Sequence, residues 1–197
     1  MSGHPSKKGA TARRRQRTAG IERLEKRRFF AVSVAQTYPG YYEVDGDTSS
    51  NVINISVAQA AGQFTLDGAT YSNVSYITVN GNGPADQITV TSDDEYGSIG
   101  LAVNGNGGNE SISVSGISAV IHGGSGNDSI SLWNSIYGEV YGDGGSDNIT
   151  IGGDCFDAQI QGGTGGGNLI DASQNNAGVV IQGSPGNDTL YGSAYDD

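Results

Sequence analysis

From about residue 40 onward the chain repeats one hydropathy pattern: a short aliphatic/polar alternation, a glycine-rich polar turn, then a second short alternation. After the turns, Ser111-Ile112-Ser113-Val114, Ser129-Ile130-Ser131-Leu132 and Asn148-Ile149-Thr150-Ile151 have period two, which puts their aliphatics on one face of a short strand. Before the turns, the pairs Ile77 and Val79, Leu101 and Val103, and Val179 and Ile181 predict a second strand. Aligned on an apolar residue, a spacer and a glycine, six copies begin at Val79, Val103, Ile121, Val140, Ile160 and Ile181, at intervals of 24, 18, 19, 20 and 21 residues. A two-stranded unit of that size cannot bury its apolar face alone and must be covered by its neighbours. The pattern therefore predicts an all-β, right-handed parallel β-solenoid with coils of about 18–24 residues, the aliphatics forming its inner stack.

The turns carry the candidate chemistry. Their sixth glycine-to-aspartate position holds Asp86, Glu110, Asp128, Asp147, Gly167 and Asp188, and two residues later stand Ile88, Ile112, Ile130, Ile149, Leu169 and Leu190. Glycines let so short a turn reach positive φ and bring backbone carbonyls towards a common point, where a carboxylate completes a cage of hard oxygens. Such a cage suits Ca²⁺. The spacer column, Asn80, Asn104, His122, Tyr141, Gln161 and Gln182, reads as an exposed polar ladder.

The segment Gly123-Gly124-Ser125-Gly126-Asn127-Asp128, followed by Ser129-Ile130-Ser131, resembles the nonapeptide of RTX, or hemolysin-type, calcium-binding repeats. That resemblance implies a parallel β-roll with calcium between stacked turns. Carried over residue by residue, it implies side-chain oxygens from Asp128 and Asp147 and backbone carbonyls from Gly123, Ser125, Gly142 and Gly144, with Asp188 and Gly183 as a second set. The chain departs from the family by having one good turn per coil instead of two. On the opposite edge, among Trp133 to Gly138, Gly152 to Asp157 and Ala172 to Ala177, only Gly152 to Asp157 partly keeps the pattern. Gly167 lacks the carboxylate, Pro84 replaces a glycine and Glu110 is longer than aspartate, which centres the expected site on Asp128 and Asp147. Val44-Asp45-Gly46-Asp47 with Ile53-Asn54-Ile55 resembles a degenerate earlier coil near the cap and is assigned no metal.

Charge divides the chain. All ten Lys and Arg fall within the first 28 residues, where two Glu leave a net +8, whereas residues 29 to 197 carry 19 acidic side chains and no basic one. An anionic body repels phosphate backbones, concentrates divalent cations and opposes its own compaction, so nucleic-acid binding by the solenoid is not expected. Residues 1–35 are expected to be a disordered basic leader serving export and residues 36–197 the calcium-binding solenoid. Arg23 to Arg28 run into Phe29-Phe30-Ala31-Val32-Ser33-Val34-Ala35, the order of a signal peptide with a shortened apolar part. Leu24-Glu25-Lys26-Arg27-Arg28-Phe29-Phe30 resembles the LEPR-XLL-type leader of bacterial surface proteins, with Lys26 in place of the proline and phenylalanines in place of the leucines. This resemblance implies an extracellular or bacterial cell-surface location. No stretch is long enough for a transmembrane helix.

The expected function is calcium binding that folds and rigidifies an exported structural module. Two alternatives stand beside it: a calcium-dependent adhesin or glycan-binding module, for which Tyr96, Trp133, Tyr137, Tyr141 and Tyr191 would form an aromatic strip, and the secretion or folding tail of a larger exported enzyme. Catalysis by the body is not expected, because residues 29 to 197 offer no Lys or Arg, a single histidine, His122, and adjacent carboxylates such as Asp93-Asp94 that read as solvated. The lone Cys155 reads as a small residue of the opposite turn. Asp197 falls at the sixth position of a further turn with no strand after it, so the expectation is either a solenoid truncated at that end or an uncapped natural end, which would tend to self-associate.

Overall fold

The computed structural model describes residues 32–93 and 97–195. The leader expectations for residues 1–31 lie outside the described residues. Each coil gives one strand to each of two sheets, and the coils stack in parallel as a β-solenoid. The first sheet runs in the order Val32–Tyr38, Tyr41–Gly46, Tyr76–Asn80, Gly100–Asn104, Ala119–Ser125, Gly138–Gly144, Ala158–Gln161, Val179–Gln182. The second runs Thr189–Tyr191, Leu169–Asn175, Asn148–Gly153, Ser129–Trp133, Ser111–Ser115, Gln87–Ser92, Val52–Ala58, and then two antiparallel strands, Gln63–Leu66 and Ala69–Ser72.

The period-two alternation sets the register. In the first sheet Val44, Val79, Val103, Ile121, Val140, Ile160 and Ile181 lie side by side, and in the second Ile53, Ile88, Ile112, Ile130, Ile149, Ile170 and Leu190 do so. A one-residue slip would turn every one of these side chains outwards. Ile53, Ile88, Ile112, Ile130, Ile149 and Ile170 are all buried, and each contributes roughly 1.5–3 kcal/mol of burial free energy. The stack is closed at its first coil by the hairpin of Gln63–Leu66 and Ala69–Ser72, turning at Asp67-Gly68 with φ of 50° and 81°. Two successive positive φ angles at Asp-Gly fit a two-residue hairpin turn of the primed kind, whose twist matches that of the strands. Phe64 stacks on Tyr71 (centroids 4.6 Å apart, planes at 13°) and meets Tyr42 edge-on at 5.4 Å, so an aromatic lid covers the inner stack.

Three expectations change. The first coil is the degenerate one read from Val44 to Ile55, but its distance from Val79 is filled by the hairpin, which the alignment did not contain. The strand Val32–Tyr38 pairs antiparallel with Tyr41–Gly46, so the last residues assigned to the leader, 32 to 35, belong to the folded edge. In the fifth aligned copy the register is displaced by one residue: Asn148 pairs with Leu169 and Ile149 with Ile170. Asn168 therefore takes the turn position assigned to Gly167, and Ile170 takes the core position assigned to Leu169, which is 37 % exposed. The extra residue is absorbed by Gly167 at φ +83°, a conformation that costs glycine little.

Candidate functional site

Along one edge the turn residues Asn51, Asp86, Glu110, Asp128, Asp147, Asn168 and Asp188 form a single column, and all but Asp188 are buried. One feature joins five of them: the side chains of Asp86, Asp128, Asp147, Asn168 and Asp188 each accept a hydrogen bond from the backbone N–H of the rung before, whereas Glu110 accepts none. Asn51 N–H donates to Asp86 Oδ1 (2.6 Å), Glu110 N–H to Asp128 Oδ1 (2.8 Å), Asp128 N–H to Asp147 Oδ1 (2.8 Å), Asp147 N–H to Asn168 Oδ1 (2.7 Å) and Asn168 N–H to Asp188 Oδ1 (2.9 Å). In these five rungs the first side-chain oxygen thereby satisfies a backbone amide that the solenoid bend takes out of the sheet ladder.

The second atom of each side chain separates the rungs. Asp86 Oδ2 accepts from Gly83 N–H of its own turn (2.9 Å), and Asp188 Oδ2 from Ser184 N–H (2.6 Å). In the Asp128 turn the amide equivalent to that of Gly83 belongs to Ser125, and it donates instead to the Asn106 carbonyl of the neighbouring coil (2.9 Å). Asp128 Oδ2, Asp147 Oδ2 and both carboxyl oxygens of Glu110 are consequently buried without a donor. A buried anionic oxygen left in that state is costly, which is the signature of a site awaiting a proton or a cation.

Carbonyls crowd the same space. The position a Cβ would take on Gly123 lies 2.5 Å from Asp128 Oδ2 and 2.9 Å from the Gly142 carbonyl oxygen of the next coil. On Gly142 the corresponding position is claimed by Asp147 Oδ2 and, at 2.6 Å, by the Gly162 carbonyl oxygen. Only glycine leaves room there for two oxygens. Of the carbonyls expected as ligands, those of Gly123 and Gly142 point into this inner edge, whereas the Ser125 and Gly144 carbonyls accept from Gly108 N–H (2.8 Å) and Gly126 N–H (2.7 Å) between coils. The position a Cβ would take on Gly183 lies 2.9 Å from Asp188 Oδ2 of its own turn. No group of three or more His, Cys, Asp or Glu side chains suited to a metal occurs among the described residues. A cation here would be held chiefly by carbonyls, with a carboxylate from each turn, which is a donor set of hard oxygens that fits Ca²⁺.

The electrostatics agree with the packing. Burial, then the adjoining Asp128 carboxyl and the charge of Asp86, push Glu110 up to about 8. Asp147 is pushed up to about 6, mainly by burial, with the Asp128 amide pulling the other way and the charges of Asp128 and Asp143 adding to the rise. Asp188, bonded by the amides of Ser184 and Asn168, is held below the usual carboxylate range.

The remaining candidates lie elsewhere. Opposite the carboxylate column, the turn interior is occupied by Ser135, Cys155 and Asn175, all buried, with Cys155 N–H donating to Asn175 Oδ1 (3.0 Å) and Asn175 Nδ2 donating to the Cys155 and Ala177 carbonyls. Asp157, the sixth position of the partly matching turn there, is exposed at φ +52°. His122 is one rung of the outer ladder, between Asn104 and Tyr141 in register; it stacks on the Tyr141 ring (4.6 Å, 6°) and its Nδ1 lies 3.0 Å from Asp143 Oδ2. The expected aromatic strip does not form: Trp133 and Tyr191 lie on strands of the second sheet, Tyr141 on the first, Tyr137 in an opposite turn, and Tyr96 falls outside the described residues. Tyr137 instead joins Tyr76, Glu139 and Gln159 around a shallow groove of about 290 Å³ on the first sheet.

What sequence reading missed is Asn51 and Asn168, which share the carboxylate column. Their signal is an asparagine two residues before a buried isoleucine, at Ile53 and Ile170. No protein-family model matches the chain, and no curated protein or solved structure matches it either.

Proposed function

We propose that this protein is a calcium-binding structural module, exported or displayed at the cell surface, in which cations captured along one edge complete the fold and stiffen the rod. The observation that carries this reading is the run of consecutive rungs Glu110, Asp128 and Asp147, buried at the same turn position with carboxyl oxygens that no protein donor satisfies. Residues 29 to 197 contain no Lys or Arg to neutralise them. A divalent ion supplies the missing positive charge and is attracted by the anionic body as a whole. Sites built of few charges and many carbonyls bind weakly, on the order of 0.1–1 mM, and would fill at extracellular calcium levels. Mg²⁺ gives up its water reluctantly and would substitute poorly.

Calcium titration followed by far-ultraviolet circular dichroism tests the reading. Metal-free protein should hold less β-structure and melt lower than the calcium-loaded protein, gaining both as Ca²⁺ is added, with little response to Mg²⁺. Identical spectra in chelator and in excess calcium would overturn it.

A further inference from the structure

The column contains two asparagines, and each carries an atom where the aspartates have an orphan. Asn51 Nδ2 lies 2.6 Å from the position a Cβ would take on Gly46, the place that Asp128 Oδ2 holds at Gly123. From there it donates to the carbonyls of Ser49 (2.6 Å) and Asp47 (3.1 Å) in its own turn and to that of Gly81 in the next coil (3.3 Å). Asn168 Nδ2 stands 2.8 Å from the equivalent position on Gly162 and donates to Ser184 Oγ of the next coil (3.0 Å). At Asn51 the carboxamide nitrogen thus brings its hydrogens to the point where carbonyls converge, and at Asn168 the same nitrogen occupies the equivalent place and bonds the Ser184 hydroxyl, each doing by hydrogen bonding what a cation does by charge.

The rungs fall into three kinds in chain order. Asn51 fills its turn with its own amide, and Asp86 is satisfied by Gly83 N–H. Glu110, Asp128 and Asp147 are then orphaned, and Asn168 is satisfied across the coil boundary by Ser184 Oγ. Glu110 departs from the repeat motif, yet both its oxygens are buried without a donor, and its Oε1 lies 2.6 Å from the place a Cβ would take on Gly108. Its longer side chain reaches into its own turn instead of standing out to solvent.

Resting on the calcium reading above, we propose that Glu110 is a further ligand and the first rung of a cation row that runs through Asp128 and Asp147, and that Asn168 ends the row by carrying a built-in substitute for the ion. Asn51 plays the same part in the first coil. The row takes a hard divalent cation, and the asparagine coils fold without one.

Calorimetric titration with CaCl₂ and thermal melts in chelator, on the whole chain, test this with Glu110→Gln, Asp147→Asn and Asn168→Asp. Glu110→Gln should weaken calcium binding about tenfold or more, since site affinity follows ligand charge. In chelator, Glu110→Gln and Asp147→Asn should each melt about 2–4 °C above the unmodified protein, because an amide replaces an unsatisfied carboxylate. Asn168→Asp should do the reverse, melting lower in chelator and recovering with calcium. Absence of calcium binding by the unmodified protein would overturn the functional reading and the row together. Calcium binding that Glu110→Gln leaves unchanged, or chelator melts that Asn168→Asp does not lower, would overturn the row alone.

Discussion

Asp147 holds Asp128 by its backbone: Asp147 Oδ1 accepts the Asp128 amide at 2.8 Å across 19 residues of sequence, while Asp147 Oδ2 faces inwards with no partner. One carboxyl group is therefore both a joint between coils and half of a candidate cation site. Asp128→Ala and Asp147→Ala should each weaken calcium binding strongly, whereas Asp93→Ala, whose carboxylate accepts from Gln59 N–H (2.8 Å) and lies off the column, should alter stability without touching affinity. Calorimetry on the three variants separates the motif from diffuse acidity; equal losses would favour the latter.

The pH response of the metal-free protein has a definite sign. Glu110 is raised to about 8 and Asp147 to about 6, so the folded state binds protons that the unfolded chain, with ordinary carboxyls near 4, has already lost. Their contribution is full below about pH 4, declines as pH rises through these values and is gone above about 8. Urea midpoints in chelator should fall from pH 5 to pH 8.5, and Glu110→Gln should flatten the slope. Calcium competes with the same protons, so its affinity should rise over the same window.

The displaced register of the fifth copy makes a sharp contrast between neighbours. Ile170 is fully buried and Leu169 is 37 % exposed. Ile170→Ala should cost about 2–5 kcal/mol in urea unfolding and Leu169→Ala less than about 1 kcal/mol. The opposite order would restore the register read from spacing alone.

Two glycines at positive φ test what the stacking needs. Gly68, at φ +81°, has no atom within 4 Å of a new Cβ, so Gly68→Ala should cost about 1 kcal/mol of backbone strain. Gly126, at φ +130°, sits so close to the Gly108 carbonyl of the neighbouring coil that a Cβ would overlap its oxygen. Gly126→Ala should lose the calcium-induced dichroism altogether.

These contrasts show what the amino-acid order makes legible. The columns through Ile88, Ile112, Ile130 and Ile149 were readable because period-two alternation and a fixed glycine spacing agree there. At Gly162 to Asn168 two cues conflict, since a run of glycines offers several alignments and only the packing of Ile170 against Ile149 chooses among them. The hairpin at Asp67-Gly68 carries a recognised turn signal beside Phe64 and Leu66, but its strands close the stack antiparallel and so share nothing with the repeat. The pairing of Asp128, Asp147 and Asp188 with amides 18 to 20 residues away left no trace in local sequence, because it depends on how one coil seats on the next.

That seating has a direction. Asp86, Asp128, Asp147, Asn168 and Asp188 each reach back through their first oxygen to the amide of the coil before them. Each of these joints is thus made by the arrival of the later coil, and the joints engage in the order in which the chain is synthesised. A rod closed in this way behaves as a ratchet: a segment threaded through a narrow pore with its first coil leading would lock one coil at a time on the far side, where each click opposes backward slippage.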